Sequence, residues 1–302
     1  MQFYPPEYFD DARNGYTAIK TFPLASAMGA EIQGVDIANI TDEQFEQVKS
    51  ALFRYKMIYF RNQTNMTIDD QEALTLRFGE FGTDAYTQGI EGHRNVQRLI
   101  KEASTVVDWI FGDGWHVDSP FMERPPSISL LQSLDVPPYG GDTWWTNAEL
   151  AYQFLSDKMK ALIADLKVHM SAAWVLENVH KNNNKLNDLS LGEIELTLDQ
   201  KKMVEGWFHP IVRTHPETGQ KSLYCDPSYG MGIQGMKQEE AKPILKYLSD
   251  HITREDFNCR LRWEPNMLVI WDNRLCLHKA FNDYDGYRRE MIRTIVNGEI
   301  PV

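Results

Sequence analysis

From about residue 95 onward the chain breaks into short apolar or alternating runs with proline and glycine between them: SISLLQSLDV, GGDTWWT, LKVHMSAAWV, FHPIVRTHP, KSLYCD, MLVIWDN and MIRTIVNG. Many short strands separated by turn signals predict a β-sandwich or barrel. The amino-terminal part reads differently. Loose alternation from Thr21 to Asp36, with Gly29 and Gly34, predicts a short strand and turn. In TDEQFEQVKSALFRYK, from Thr41, the residues Phe45, Val48, Leu52 and Tyr55 fall at helical spacing behind a threonine N-cap. MIYFRNQ then reads as a buried strand, and a second helix from Thr67 to Phe78 stops at Gly79. Helices are also expected over Ala148 to Ile163 and Gln238 to His251. The text KNNNKLNDLSLGEIELTLDQKK, from Lys181, is polar and poorly periodic. Residues 181–205 are expected to be either a lid over a site or a solvated insertion.

Composition narrows the partners. The 302 residues carry 31 basic and 43 acidic side chains, a formal charge of −12, and no dense basic patch. That sign argues against nucleic acid and against an anionic membrane surface. No run approaches the roughly 18 consecutive apolar residues of a membrane helix, and the start lacks the basic-then-apolar pattern of a secretory signal. Cys225, Cys259 and Cys276 are odd in number, lie in apolar text and lack zinc-site spacing, which predicts reduced core thiols and a cytoplasmic setting.

The chemistry centres on GWHVDSPF. In an extended strand, residues two apart share a face, so His116 and Asp118 can reach one point. Two histidines and one carboxylate on one face suit iron(II). Among the eight histidines, His278 has the best context for the third ligand, because an apolar run from Met267 to Trp271 enters a polar turn just before it. His93, His169, His180, His209, His215 and His251 read as surface or hydrogen-bonded core histidines. In YRREMIRTIVNG, Arg289, Met291, Arg293 and Ile295 share one strand face. Two inward arginines need an anionic partner, either a protein carboxylate or, beside a metal, a dicarboxylate cosubstrate.

The ordered set WHVD, GGDT, WDN with His278, and RRxMxRxT resembles the TauD/TfdA family of taurine-dioxygenase-like, iron(II)- and 2-oxoglutarate-dependent oxygenases. The resemblance runs from GAEIQGVD and MIYFRNQ to the last arginine strand. It implies one oxygenase domain over residues 1–302, with a double-stranded β-helix (jelly-roll) core and flanking helices. It also implies that His116, Asp118 and His278 hold Fe(II), that Arg289 and the Thr143 hydroxyl hold the far carboxylate of 2-oxoglutarate, and that O2 is consumed. Arg293 matches a position that contacts the substrate's anionic group. The implied reaction abstracts hydrogen from, and hydroxylates, an unactivated carbon of a small anionic molecule, an amino acid or other carboxylic acid, releasing succinate and CO2. Oxidative cyclisation or desaturation is the alternative outcome. The retained Asp118 argues against halogenation, and relatives of this kind associate as homo-oligomers.

One departure bears on the substrate. After the second helix the chain reads RFGEFGTDAYTQG, with Asp84 and Tyr86 where the taurine enzyme has histidine-bearing text that contacts sulfonate. Asp84 would repel a sulfonate and pair with an amine, or else cap a turn; taurine is therefore not expected. Phe121, Trp144, Trp145 and Tyr86 suggest a pocket for an apolar portion. Two rivals of other classes remain at this point, a jelly-roll binding protein without activity and a zinc hydrolase using the same three ligands.

Overall fold

The computed structural model describes residues 3–84, 87, 89–106, 110, 112–174 and 198–302. Two facing sheets form its centre. The larger starts with the hairpin β1 (Lys20–Pro23) and β2 (Ala30–Gln33), and β2 runs parallel to β3 (Met57–Phe60). It continues antiparallel through β14 (Leu268–Asp272), β6 (Ile128–Asp135), β16 (Arg289–Val296) and β5 (His93–Lys101), ending at β4 (Gly89–Ile90). The smaller sheet is β13 (Asn258–Leu261), β7 (Thr143–Asn147) and β15 (Cys276–Ala280).

The central strands are apolar on both faces because both faces are covered. MIYF and LVIWD are buried at every position. One face, with Ile58, Phe60, Leu130, Leu268 and Ile270, packs on helix α1 (Asp42–Tyr55) and on Leu74 of α2 (Ile68–Phe78). The opposite face, with Leu131, Val269, Trp271 and Met291, meets Trp145, Cys259, Leu261 and Cys276 of the small sheet. Trp145 and Trp271 touch edge-to-face at 6.0 Å across this interior. Truncating a buried aromatic of this size typically costs about 3–5 kcal/mol. This is the double-stranded β-helix expected of the chain, and its two walls are what bring the site residues together.

Helix ends follow local chemistry. Thr41 and Gln44 form a reciprocal capping box, as do Thr67 and Asp70. The single helix expected over Ala148 to Ile163 is instead two, α3 (Ala148–Gln153) and α4 (Asp157–Ile163), because the Ser156 hydroxyl accepts from the Met159 amide and starts a new helix. β8 (Lys167–Met170), β9 (Trp207–Pro210) and β12 (Gly230–Ile233) make a third small sheet, and β10 (Val212–Thr214) pairs with β11 (Lys221–Leu223). Residues 181–197 of the polar segment lie outside the described residues, and its end is helix α5 (Leu198–Glu205). Helix α6 (Gln238–Ile252) matches its expected span and tolerates Pro243 in its first turns. Cys225, Cys259 and Cys276 are buried and unpaired. Burial pushes the Cys225 thiol up to about 12 and raises the other two as well. Among the described residues no helix is long and apolar enough to cross a membrane.

The turn between β14 and β15 is anchored by a buried ion network. Arg274 grips Asp272 in bidentate fashion (Nε–Oδ1 2.9 Å, Nη2–Oδ2 2.6 Å) and reaches Glu217 at 2.9 Å, while His215 Nε2 lies 3.1 Å from Asp272. Burial would raise the Asp272 carboxyl, but Arg274 and His215 hold it well below the usual carboxylate range. A depressed folded-state pKa stabilises the fold above the unfolded value, near 4, and that contribution is lost as pH falls below it. Asp272→Asn should therefore lower stability at pH 7 by about 3–5 kcal/mol, since it strands the Arg274 charge. In denaturant unfolding, the gap between wild type and variant should shrink as pH drops below about 4.

Candidate active site

His116 reaches the small sheet through one antiparallel bridge. Its amide donates to the His278 carbonyl at 2.9 Å, and the His278 amide donates back at 2.8 Å. This backbone pair sets the two imidazoles side by side, ring centroids 4.1 Å apart. Asp118 follows two residues later, and the donor atoms of His116, Asp118 and His278 all lie within 4.8 Å of one another, on three buried residues. The expected triad is thus assembled. A second grouping, Asp69, Glu72 and His93, sits at the surface near the start of α2.

Protonation states suit metal binding. His116 Nδ1 lies 2.7 Å from the Gly114 carbonyl, so it carries the proton there and leaves the Nε2 lone pair for a metal. Burial lowers the pKa of both histidines, to about 3 at His278, against the opposing pull of Asp118. Burial would raise Asp118, yet Arg293 and the imidazoles bring it below its ordinary value. Two neutral imidazoles and one carboxylate are the donor set that a divalent first-row metal takes. His278 Nδ1 is buried with no partner among the described residues.

Behind the ligands stands a hydrogen-bond chain that motif reading left unassigned. Trp271 Nε1 donates to Asn273 Oδ1 at 3.0 Å, Asn273 Nδ2 donates to Ser129 Oγ at 2.8 Å, and Ser129 Oγ donates to Asp118 Oδ2 at 2.5 Å. The Asp118 amide also donates to Asn273 Oδ1, at 3.4 Å. The signals were present: a serine inside the apolar run SISLL, and the asparagine of WDN.

Thr143 of β7 and Arg289 of β16, the residues expected at the keto-acid end, are linked by a tryptophan. Trp263 Nε1 donates to Thr143 Oγ1 at 3.0 Å, which leaves the hydroxyl proton free to be donated elsewhere. The Arg289 guanidinium lies over the same indole, 5.6 Å from its centroid. Gly140 and Gly141 precede Thr143 with φ of +72° and +65°, and a Cβ on Gly140 would come within 2.6 Å of the Asp283 carbonyl. Arg289 forms no ion pair among the described residues, and its Nε is buried without a partner. Burial lowers its pKa, opposed by Tyr284 and Asp142. A buried guanidinium with an orphaned N–H beside an available hydroxyl fits the carboxylate of a dicarboxylic keto acid.

Arg293 sits differently. Its Nη1 donates to Asp118 at 3.1 Å, its Nε to Gln97 at 3.3 Å, and its Nη2 pairs with Asp84. Asp84 also accepts the Thr87 amide at 2.7 Å, so it caps a turn as well. Phe121 is wholly buried against Tyr229, and Trp145 is core, whereas Trp144 turns outward toward Phe281 and Trp115. Tyr86 lies outside the described residues.

Removing either member of the chain behind Asp118, as Ser129→Ala or Asn273→Ala, should weaken metal affinity roughly 10- to 100-fold while the protein stays folded. Competition against a metal-binding dye, alongside thermal melting, would check this.

The sequence profile described as "Taurine catabolism dioxygenase TauD, TfdA family" matches residues 20–295. An alpha-ketoglutarate-dependent sulfate ester dioxygenase of Pseudomonas putida is 31% identical over 93% of this chain and 90% of its own. Among solved structures, a taurine dioxygenase from Burkholderia xenovorans aligns with TM-score 0.76 at 30% identity, over 95% of this chain and 91% of its own. A structure of AAD-2 in complex with Mn(II) and N-oxalylglycine aligns with TM-score 0.73 at 28% identity, covering 94% and 99%. Those matches span the two sheets, the triad and the arginine strand, and this chain belongs to the TauD/TfdA family of alpha-ketoglutarate-dependent dioxygenases.

Proposed function

We propose that this protein hydroxylates an unactivated carbon of a small amino acid or other carboxylic acid, with His116, Asp118 and His278 as the iron(II) ligands and Arg289 with Thr143 as the 2-oxoglutarate clamp. The observation that carries the reading is the pairing of a preassembled triad with a half-buried arginine whose Nε is buried without a partner and which makes no ion pair among the described residues. Bound iron and 2-oxoglutarate would supply the oxidising chemistry, with one oxygen atom of O2 entering succinate as the keto acid loses CO2 and the other ending as the hydroxyl that replaces hydrogen on the substrate carbon.

The chain's own residues do the rest. The Gly114 carbonyl fixes the His116 tautomer, so the metal meets Nε2. Ser129 holds Asp118 Oδ2, while Oδ1, which accepts from Arg293 Nη1, also faces His278 Nε2 at 3.8 Å. Trp263 engages the Thr143 hydroxyl and walls the Arg289 guanidinium, the two groups that would hold the far carboxylate of the keto acid. The zinc-hydrolase rival needs neither of these last two groups, and a binding protein without activity needs no metal triad. A relative named for sulfate esters supports oxidation next to a heteroatom or acid group as the reaction type.

Anaerobic addition of iron(II) and 2-oxoglutarate should produce the weak visible charge-transfer band of the chelated keto acid. His116→Ala should abolish the band and succinate formation. Arg289→Ala should retain iron but weaken 2-oxoglutarate binding by on the order of tenfold to a hundredfold, the worth of a charge-assisted contact. Iron bound with no band would sink the reading.

A further inference from the structure

Two arginines on one strand face, four residues apart, are in opposite electrostatic states. Arg289 has no ion pair among the described residues, whereas every nitrogen of Arg293 is engaged. The Asp84–Arg293 pair is withdrawn from water, with side chains only 4% and 6% exposed. Burial lowers the Arg293 pKa, but Asp84 and Asp118 outweigh it, so the guanidinium keeps its charge.

The consequence appears when the charges of the loaded site are balanced. Surrounding charges close on one another: Asp142 pairs with Arg260 at 2.6 Å and Lys101 with Asp285 at 2.7 Å, and Glu290 is held by Arg98 and Arg288. At the centre of the site stand Arg289, Arg293, Asp84 and Asp118, while Asp283 beside Gly141 and Lys279 next to His278 carry opposite charges at its rim. Arg289 and Arg293 balance Asp84 and Asp118, and a doubly positive metal balances a doubly negative keto acid. These central groups, with metal and keto acid bound, would sum to zero before any substrate enters. Asp226, whose carboxyl accepts the Val117, Ser228 and Tyr229 amides, is pushed up by burial to about 7, and any residual charge on it adds to the negative side. A simple organic anion entering here must either displace Asp84 from Arg293, leaving a buried carboxylate uncompensated, or remain unpaired itself. Both are costly. An uncharged molecule leaves the balance intact. So does a zwitterion, which exchanges one internal pair for two new ones, carboxylate to Arg293 and ammonium to Asp84.

We propose that Asp84 is a specificity-determining residue: by neutralising Arg293 it restricts the prime substrate to molecules of zero net charge, amino-acid zwitterions included, and shuts out simple alkyl sulfates, sulfonates and monocarboxylates. This rests on the oxygenase reading above and narrows its substrate to the amino-acid branch, setting simple carboxylic acids aside. A purely structural pair, bracing the chain after α2, would leave anion selectivity untouched when Asp84 is changed.

The test uses the anaerobic iron(II)–2-oxoglutarate complex of the full chain, titrated with hexyl sulfate, hexanoate and 1-hexanol. Binding is read from the perturbed charge-transfer band and by equilibrium dialysis. In wild type neither anion should bind more tightly than the alcohol. In Asp84→Asn both anions should bind at least tenfold more tightly than in wild type, with 1-hexanol unchanged. Should Asp84→Asn fail to melt cooperatively, Asp84→Ser takes its place, and the wild-type arm stands alone. Anions that bind wild type more tightly than the alcohol, or a folded variant that gains no anion affinity, would overturn the proposal. Absence of the band before any probe is added would count against the oxygenase reading instead.

Discussion

A carboxylate buried in an apolar interior keeps its charge only if the fold surrounds it with donors and opposite charge. Asp118 is that group here, and much of the site can be read as the means of keeping it ionised. Ser129 from β6, the Asn273 turn and Arg293 from β16 converge on its two oxygens and its amide. Those partners come from two strands of the larger sheet and the turn that follows a third, while the histidines are fixed by a backbone bridge to the smaller one. The carboxylate therefore ties the two walls together at the point where a metal would bind. A donor set assembled before the metal arrives costs little reorganisation on binding.

The networks around that point divide the work. Asp272, Arg274, His215 and Glu217 secure the turn from β14 to β15, and they do so at its outer end, away from the imidazoles. Trp271 faces both tasks: its ring packs 4.8 Å from the His278 ring, and its N–H starts the chain that ends on Asp118. A tryptophan buried with its N–H satisfied is rigid, so the ligand it supports is rigid too.

Residue types and spacing made much of this legible. The His-x-Asp pair, His278, the inward parity of Arg289 and Arg293, and the two capped helices all follow from local rules that the fold obeys. What was not legible depended on partners far along the chain. HRNVQRLIK carries four charged or ionisable side chains and reads as surface text, yet it is β5, because β16 offers it a full register from Arg289 to Arg293. Ser156 splits an expected helix because a hydroxyl at the right place outcompetes helical periodicity across Phe154 and Leu155. The Asp84–Arg293 pair joins residues 209 apart in sequence, and no periodicity reports that.

Arg289 and Arg293 share a strand and differ in their surroundings. The strand gives both side chains the same direction by pleat alone, so position cannot distinguish them. Their neighbours do. Arg289 lies over the Trp263 indole and makes no ion pair among the described residues, so its charge stays available. Arg293 faces two carboxylates, one from the metal site and one from the irregular chain just after α2. The first of these is bound to the chemistry and cannot vary without losing the metal. The second lies outside both sheets, where a change of residue leaves the core packing intact. On the proposed role of Asp84, the charge this pocket demands is set by one loop residue, apart from the triad on the two sheets.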